Sequence, residues 1–173
     1  KPWAVKGRDK HEDKVRRYVH TYPGSGPPPP RGYANYVRWL EHIGQKYQEA
    51  ADREVRYESY RADDARLLLV AYGYVSRVCK EAISNARAEG RKVGLIRPVT
   101  VWPFPSKVIK EKADEGCRFL VVEDSLGQMV DDVQMSVLGR AEVNFMGLLS
   151  RHIPTDAGMI LPGRVLEEIR RLS

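Results

Sequence analysis

Glu123 and Asp124 stand side by side after the apolar run Phe119–Val122, where two carboxylates could serve as an acid/base pair. Adjacent residues on an extended segment point to opposite faces, which weighs against both addressing one substrate atom. Glu123 therefore reads as a structural or interface carboxylate. The turn Gly127-Gln128-Met129 follows, and Asp131-Asp132 fall in the first turn of the helix it opens, where negative charge suits the helix dipole. Tyr72-Gly73-Tyr74-Val75-Ser76-Arg77 is a strand–glycine–helix junction of the kind that can aim backbone N–H groups at an anion. It has one glycine where a dinucleotide fingerprint has three, and the sequence holds no P-loop Gly-Lys-Ser/Thr. A tight turn that lets helix and sheet pack closely is the plainer reading.

The other candidate donors are scattered. His11, His20, His42 and His152 match no metal-site spacing, and there is no Gly-x-Ser-x-Gly nucleophile elbow. Cys79 and Cys117 cannot complete a four-thiolate iron–sulfur or zinc site, and each reads as a small buried hydrophobe. So few cysteines point to a reducing, cytoplasmic compartment. On these residues alone we expect no catalytic, cofactor-binding or metal-binding group in the chain. Arg97-Pro98-Val99-Thr100-Val101-Trp102-Pro103-Phe104-Pro105 is of a different kind: three prolines in eight residues stiffen it. A stiff loop carrying Trp102 and Phe104 suits an interface, because two-torsion aromatics lose little entropy on burial. The residues expected to touch neighbours are Arg97, Thr100, Trp102, Phe104, Glu123 and Gln128, all at strand ends that should gather on one edge.

The elements that must position these groups are legible as an α/β pattern from Arg66 onward. Leu67–Tyr72 is a continuous apolar run, as in a strand covered on both faces, ending at Gly73. Val75, Val78, Cys79, Ala82, Ile83 and Ala86 carry helix periodicity up to a stop at Gly90. Val93–Ile96 is the second strand, Ser106 caps a helix ending near Gly116, and Phe119–Val122 is the third strand. A helix around Met129–Val137, a strand over Ala141–Met146 and a helix over Leu161–Leu172 complete the series. Such alternation means a three-layer α/β fold, a mostly parallel sheet flanked by helices. Upstream, residues 1–34 carry Pro2, Pro23 and Pro27–Pro30 among glycines and read as extended, polyproline-like chain. Asn35 caps a helix reaching about Arg56 that docks on a domain. The expected division is a linker and docking helix over 1–60, then the α/β domain over 61–173.

At 173 residues the chain has room for one domain and an appendage. The net charge of +6 is mixed, with 14 Lys/Arg against 10 Asp/Glu up to Arg66 and 15 against 13 beyond. That is unlike the one-sided stripe of a nucleic-acid binder. No apolar run approaches the roughly 18 residues of a membrane span, and the N-terminus is polar, unlike a signal peptide. The chain opens at Lys1 without Met, which reads as a fragment.

Val93-Gly94-Leu95-Ile96-Arg97-Pro98-Val99-Thr100-Val101-Trp102-Pro103-Phe104-Pro105, with Val121-Val122-Glu123, Gly127-Gln128-Met129 and Asp132-Val133, resembles the C-terminal part of the alpha subunit of 2-oxoacid:ferredoxin oxidoreductases. This is the thiamine-diphosphate subunit, and the 2-ketoisovalerate type is the nearest likeness. Lys1-Pro2-Trp3-Ala4 and the linker resemble the segment joining the two domains of that subunit. The resemblance implies a transketolase C-terminal-like domain. It implies an enzyme that decarboxylates a 2-oxoacid on thiamine diphosphate, sends electrons through iron–sulfur clusters to ferredoxin, and passes the acyl group to coenzyme A. It also implies that the cofactors lie elsewhere: the pyrimidine contacts on the N-terminal domain, the diphosphate and Mg²⁺ on the beta subunit, the clusters on a ferredoxin-like delta subunit. Beta, gamma and delta subunits would be the partners, and this chain a non-catalytic assembly domain. The sequence departs from the family where relatives carry an Arg-Gly-Gly-type turn before Pro-Thr; here it reads Gly147-Leu148-Leu149-Ser150-Arg151-His152-Ile153-Pro154-Thr155. A competing reading is a stand-alone Rossmann-like module that uses the Gly73 turn to hold a phosphate-bearing ligand such as coenzyme A or a nucleotide.

Overall fold

Four apolar runs build a parallel sheet, and one polar run that the sequence pattern did not single out closes its edge. The structure is a computed structural model describing residues 33–147 and 159–173. In order come α1 (Tyr33–Arg53), β1 (Tyr57–Tyr60), β2 (Leu67–Val70), α2 (Val75–Ala88), β3 (Val93–Pro98), α3 (Ser106–Asp114), β4 (Arg118–Val122), α4 (Met129–Val137), β5 (Val143–Met146) and α5 (Pro162–Leu172). The sheet order is β1-β3-β2-β4-β5. Strands β2, β3, β4 and β5 are parallel, and β1 pairs antiparallel with β3, Tyr57 opposite Pro98 and Tyr60 opposite Leu95. The expected three-layer, mostly parallel α/β fold is the one observed.

Central β2 is fully buried along its length, and its side chains divide the core. Leu67 and Leu69 face α2 and α5, with Val75, Cys79, Ile83, Val165 and Ile169. Leu68 and Val70 face α3 and α4, with Val108, Ile109, Met129, Val133 and Phe119. Each fully buried leucine stabilises the fold by about 1.5–3 kcal/mol over an exposed one. The chain steps from β2 to β3 on one side, then crosses back to β4 on the other. A constant right-handed crossover therefore puts α2 on one face and α3 and α4 on the opposite face, as found.

Four expectations change in detail. The strand β1 was not expected: its four residues alternate exposed and half-buried, a weak pattern typical of a short, polar edge. It carries the sheet upstream of residue 61. Helix α1 already includes Asn35, so Asn35 is not its cap. Ser106 lies inside α3, after Pro105, and makes no side-chain cap bond. Gly73 adopts a left-handed φ of +57°, yet a Cβ there would meet nothing within 4 Å. The turn needs glycine for its torsion, not for close packing. The compact α/β unit runs from Gln48 to Ser173. In α1 itself the Tyr36 and Trp39 rings stack at 6.1 Å. The expected polyproline segment, along with residues 148–158 including His152, lies outside the described residues.

Gly94 is the tightest point of the sheet. The segment before β2 crosses over β3, so a Cβ on Gly94 would collide with the Arg61 carbonyl and lie 2.9 Å from the Ala62 Cα. Arg87 ties the same segment down, donating from Nε to the Val93 carbonyl at 2.7 Å and from Nη2 to the Arg61 carbonyl at 2.7 Å, with an ion pair to Asp64. Both obstacles to a side chain are backbone, which cannot swing away. Gly94→Ala should therefore lower stability by about 3 kcal/mol, read as a fall in the urea midpoint. An unchanged midpoint would show that the crossing is looser than described.

Candidate functional site

The four parallel strands end on one edge, and the antiparallel β1 brings Tyr57 to it through its pairing with Pro98. In open α/β sheets, ligands sit at this carboxyl edge, in the crevice where the strand order reverses. Here the reversal lies at β2, so the crevice falls between the loops after β2 and β4. Two helices, α2 and α4, begin there.

The turn after β4 is closed by its own acid. Glu123 is 1% exposed. Its Oε1 accepts the amides of Gln128 and Val130 at 3.1 Å each. Its Oε2 accepts the Met129 amide and the Ser125 hydroxyl, also at 3.1 Å. Ser125 Oγ in turn accepts the Gly127 amide at 3.1 Å. The amides at the start of α4 thus converge on a carboxylate supplied by the chain, where the helix dipole favours it. Asp132, also in the first turn of α4, has its carboxyl pushed above the usual range by burial and by the negative charges of Asp131 and Glu123.

Asp124 points the other way and accepts a hydrogen bond from the Tyr74 phenol, bridging the loops after β2 and β4. Burial, reinforced by Asp124, pushes the Tyr74 phenol up to about 12. At the start of α2, the Ser76 amide donates to the Tyr72 carbonyl, and those of Arg77 and Val78 to the Tyr74 carbonyl, at 2.9–3.3 Å. The leading amides of α4 are therefore spent on Glu123, and those of α2 from Ser76 onward on backbone carbonyls. Nothing in the structure favours the phosphate-binding module.

The six residues expected at an interface divide sharply. Trp102 is 61% exposed on the edge, and Gln128 is exposed with its amide held by Glu123. Arg97 is half-buried, pairing with Glu58 at 3.1 Å, and Lys80 closes on the same carboxylate. The Lys80 and Arg97 hydrogen bonds, in that order, hold the Glu58 carboxyl below its usual range. Thr100 faces the chain, accepting the Arg56 amide at 3.0 Å and donating to the Pro103 carbonyl at 3.0 Å. Phe104 packs on the α3–α4 core, so it fastens the loop more than it presents it. Glu123 is a correction: fully buried with both oxygens engaged, it builds the edge without reaching a neighbour.

The edge instead presents residues the sequence reading passed over. Val99, Val101 and Leu126 are 55%, 58% and 72% exposed, and Tyr57, Tyr72 and Tyr74 are also open. Leu126, an apolar residue in the tip of the polar Ser125–Gly127 turn, was the one readable signal among them. Among the described residues no three His, Cys, Asp or Glu come together to hold a metal. Burial pushes both thiols up, and Cys117 donates to the Ala65 carbonyl at 3.3 Å. Buried, protonated thiols of this kind do not fit an iron–sulfur cluster. No described helix is long and apolar enough to cross a membrane.

The family described as pyruvate:ferredoxin oxidoreductase core domain II matches residues 65–155. The ketoisovalerate oxidoreductase subunit VorB of Methanothermobacter thermautotrophicus (strain Delta H) is 53% identical over 95 residues, which cover 55% of this chain and 27% of that protein. The 2-oxoglutarate synthase subunit KorA of Methanothermobacter marburgensis is 36% identical over 117 residues, covering 68% of this chain and 30% of that protein. The chain thus spans roughly a quarter to a third of the curated relatives it matches. Among solved structures, 2-oxoglutarate:ferredoxin oxidoreductase from Magnetococcus marinus superposes with a TM-score of 0.66 at 18% identity, over 83% of this chain and 24% of that one. A split-gene transketolase superposes with a TM-score of 0.57 at 15% identity, over 67% and 40%. At these identities the two structures speak for the fold alone.

Two outcomes follow from the closed edge. Glu123→Ala leaves three converging amides without their acceptor and should cost about 3 kcal/mol, measured by urea denaturation. Tyr74 keeps its proton in the fold past the pH, near 10, at which the unfolded phenol loses its own. Its contribution to stability is fully present below pH 10 and is lost as pH rises toward about 12. A near-ultraviolet difference titration should show one late-ionising tyrosine that disappears in Tyr74→Phe.

Proposed function

Because the chain belongs to the pyruvate:ferredoxin oxidoreductase core domain II family, we propose that it is an assembly domain of one subunit of a 2-oxoacid:ferredoxin oxidoreductase. Such an enzyme oxidatively decarboxylates a 2-oxoacid to an acyl-coenzyme A and reduces ferredoxin. The observation that carries the role of this part is the character of its carboxyl edge. Exposed Val99, Val101, Trp102 and Leu126 stand there, while Glu123, Asp124 and Arg97 are all engaged within the chain. An edge whose carboxylates are engaged internally and whose apolar side chains face outward suits the dry contact of an obligate interface.

In the assembled enzyme, thiamine diphosphate supplies the decarboxylation chemistry and iron–sulfur clusters carry the electrons. Both belong to other domains and subunits, with ferredoxin and coenzyme A meeting the enzyme there. This chain contributes a rigid wall: the Arg97–Pro105 loop, pinned by Thr100 and Phe104, and the Glu123–Gln128 turn. A branched-chain 2-oxoacid is the substrate we favour, because identity to the ketoisovalerate subunits is 53% and 52%, against 36% for the 2-oxoglutarate subunit KorA. The low cysteine count fits a cytoplasmic enzyme.

The test is made on the complex purified through a tag on this protein from its native host. That complex should reduce a viologen dye in the presence of coenzyme A and 2-ketoisovalerate, faster than with 2-oxoglutarate. Absence of any 2-oxoacid-dependent reduction would refute the proposal. The double substitution Val101→Ser, Trp102→Ala should cut the assembled fraction about tenfold while leaving the melting temperature of the free chain unchanged. Equal loss of fold and assembly would assign those residues to the core instead.

A further inference from the structure

Away from the carboxyl edge, the last turn of α4 ends on a residue whose placement its own fold does not repay. Leu138 caps the helix in the left-handed conformation, φ +49° and ψ +41°, and is 67% exposed. A branched apolar side chain is disfavoured in that region, which glycine or asparagine adopts readily. Exposure also denies it the compensation of burial within the chain. Met135, one turn earlier, is 64% exposed beside it.

Both line a cleft of about 390 Å³ between α3 and α4, whose other walls are Ser106, Lys107, Lys110, Asp132 and Ser136. Lys107 and Lys110 are exposed, three residues apart, and make no ion pair among the described residues. The Ser136 hydroxyl is turned back to the Asp132 carbonyl at 2.7 Å. Asp132 is the single acid lining the cleft. The cleft thus has an apolar side, Met135 and Leu138, and a wall with two uncommitted positive charges.

We propose that the α3–α4 cleft is a second docking surface, taken in the assembled enzyme by an acidic segment of a partner subunit. An apolar side chain of that segment covers Met135 and Leu138, and its carboxylates pair with Lys107 and Lys110. Charge complementarity selects such an occupant over a basic or neutral one, and methionine adapts to the shape of what it meets. Burial by the partner also accounts for a leucine held where the free chain gains nothing from it. The inference rests on the reading of this protein as one part of a multisubunit enzyme, but on the α3–α4 face, which adjoins the carboxyl edge only at Ser106 and Lys107.

A zero-length carbodiimide cross-linker applied to the purified complex should join Lys107 or Lys110 to an Asp or Glu of another polypeptide. Lys107→Glu with Lys110→Glu should weaken association about tenfold. Leu138→Gly should also weaken association, yet leave the melting temperature of the free chain unchanged or raise it by roughly 2–4 °C. A complex that forms normally, with both lysines linked only within this chain, overturns the second surface and leaves the family reading intact. A fall in melting temperature for Leu138→Gly overturns it too, because Leu138 would then be packed at home. A protein that stays monomeric throughout overturns both readings.

Discussion

The reversal of strand order at β2 is the constraint from which the rest of this fold follows. A strand with parallel neighbours on both sides must be dry on both faces, and Leu67–Val70 is. The two steps away from it run in opposite directions, so one crossover hand forces α2 and α3 onto opposite faces. The same reversal leaves a crevice at the carboxyl edge, with two helix starts pointing into it. A crevice of that kind needs an occupant, because converging amides left dry cost stability.

In this chain the occupant is covalently attached. Glu123 answers the amides of α4, the Tyr74–Asp124 bridge spans the neighbouring loops, and the carbonyls of Tyr72 and Tyr74 take the amides of α2. At α4 the position where this architecture commonly holds a small molecule is filled by the chain's own carboxylate. The relatives are about three to four times as long as the stretch they share with this chain. Stiffness at the edge serves contact better than it serves turnover.

The central strands were legible in the sequence because double burial writes itself as unbroken apolar runs, and Leu67–Val70, Val93–Ile96 and Phe119–Val122 are such runs. Strand β1 was not, since Tyr-Glu-Ser-Tyr at a sheet edge has only one partner and little apolar content. The parity argument at Glu123-Asp124 correctly separated the two side chains but could not tell which one turned inward. That depended on the Ser125–Gly127 turn bringing back amides five to seven residues away, a geometry with no local signature. The three prolines of residues 97–105 make a rigid loop that carries two aromatics legible from sequence. Which aromatic faced out depended on the depth of the α3–α4 core beneath Phe104. The left-handed Leu138 had no sequence signal at all, because Gly139 one residue later looks like an ordinary helix stop.

The two cysteines take on a different meaning once the layers are known. Cys79 lies on the α2–α5 side of the sheet and Cys117 on the α3–α4 side, both sealed, with the dry central sheet between them. Neither can find the other, and neither can meet an oxidant while its layer stays closed. In an enzyme family built on electron transfer, the domain thus keeps its sulfur out of circulation. Each thiol becomes reactive only when its own half of the core opens, so the pair forms a two-channel gauge of which face gives way first.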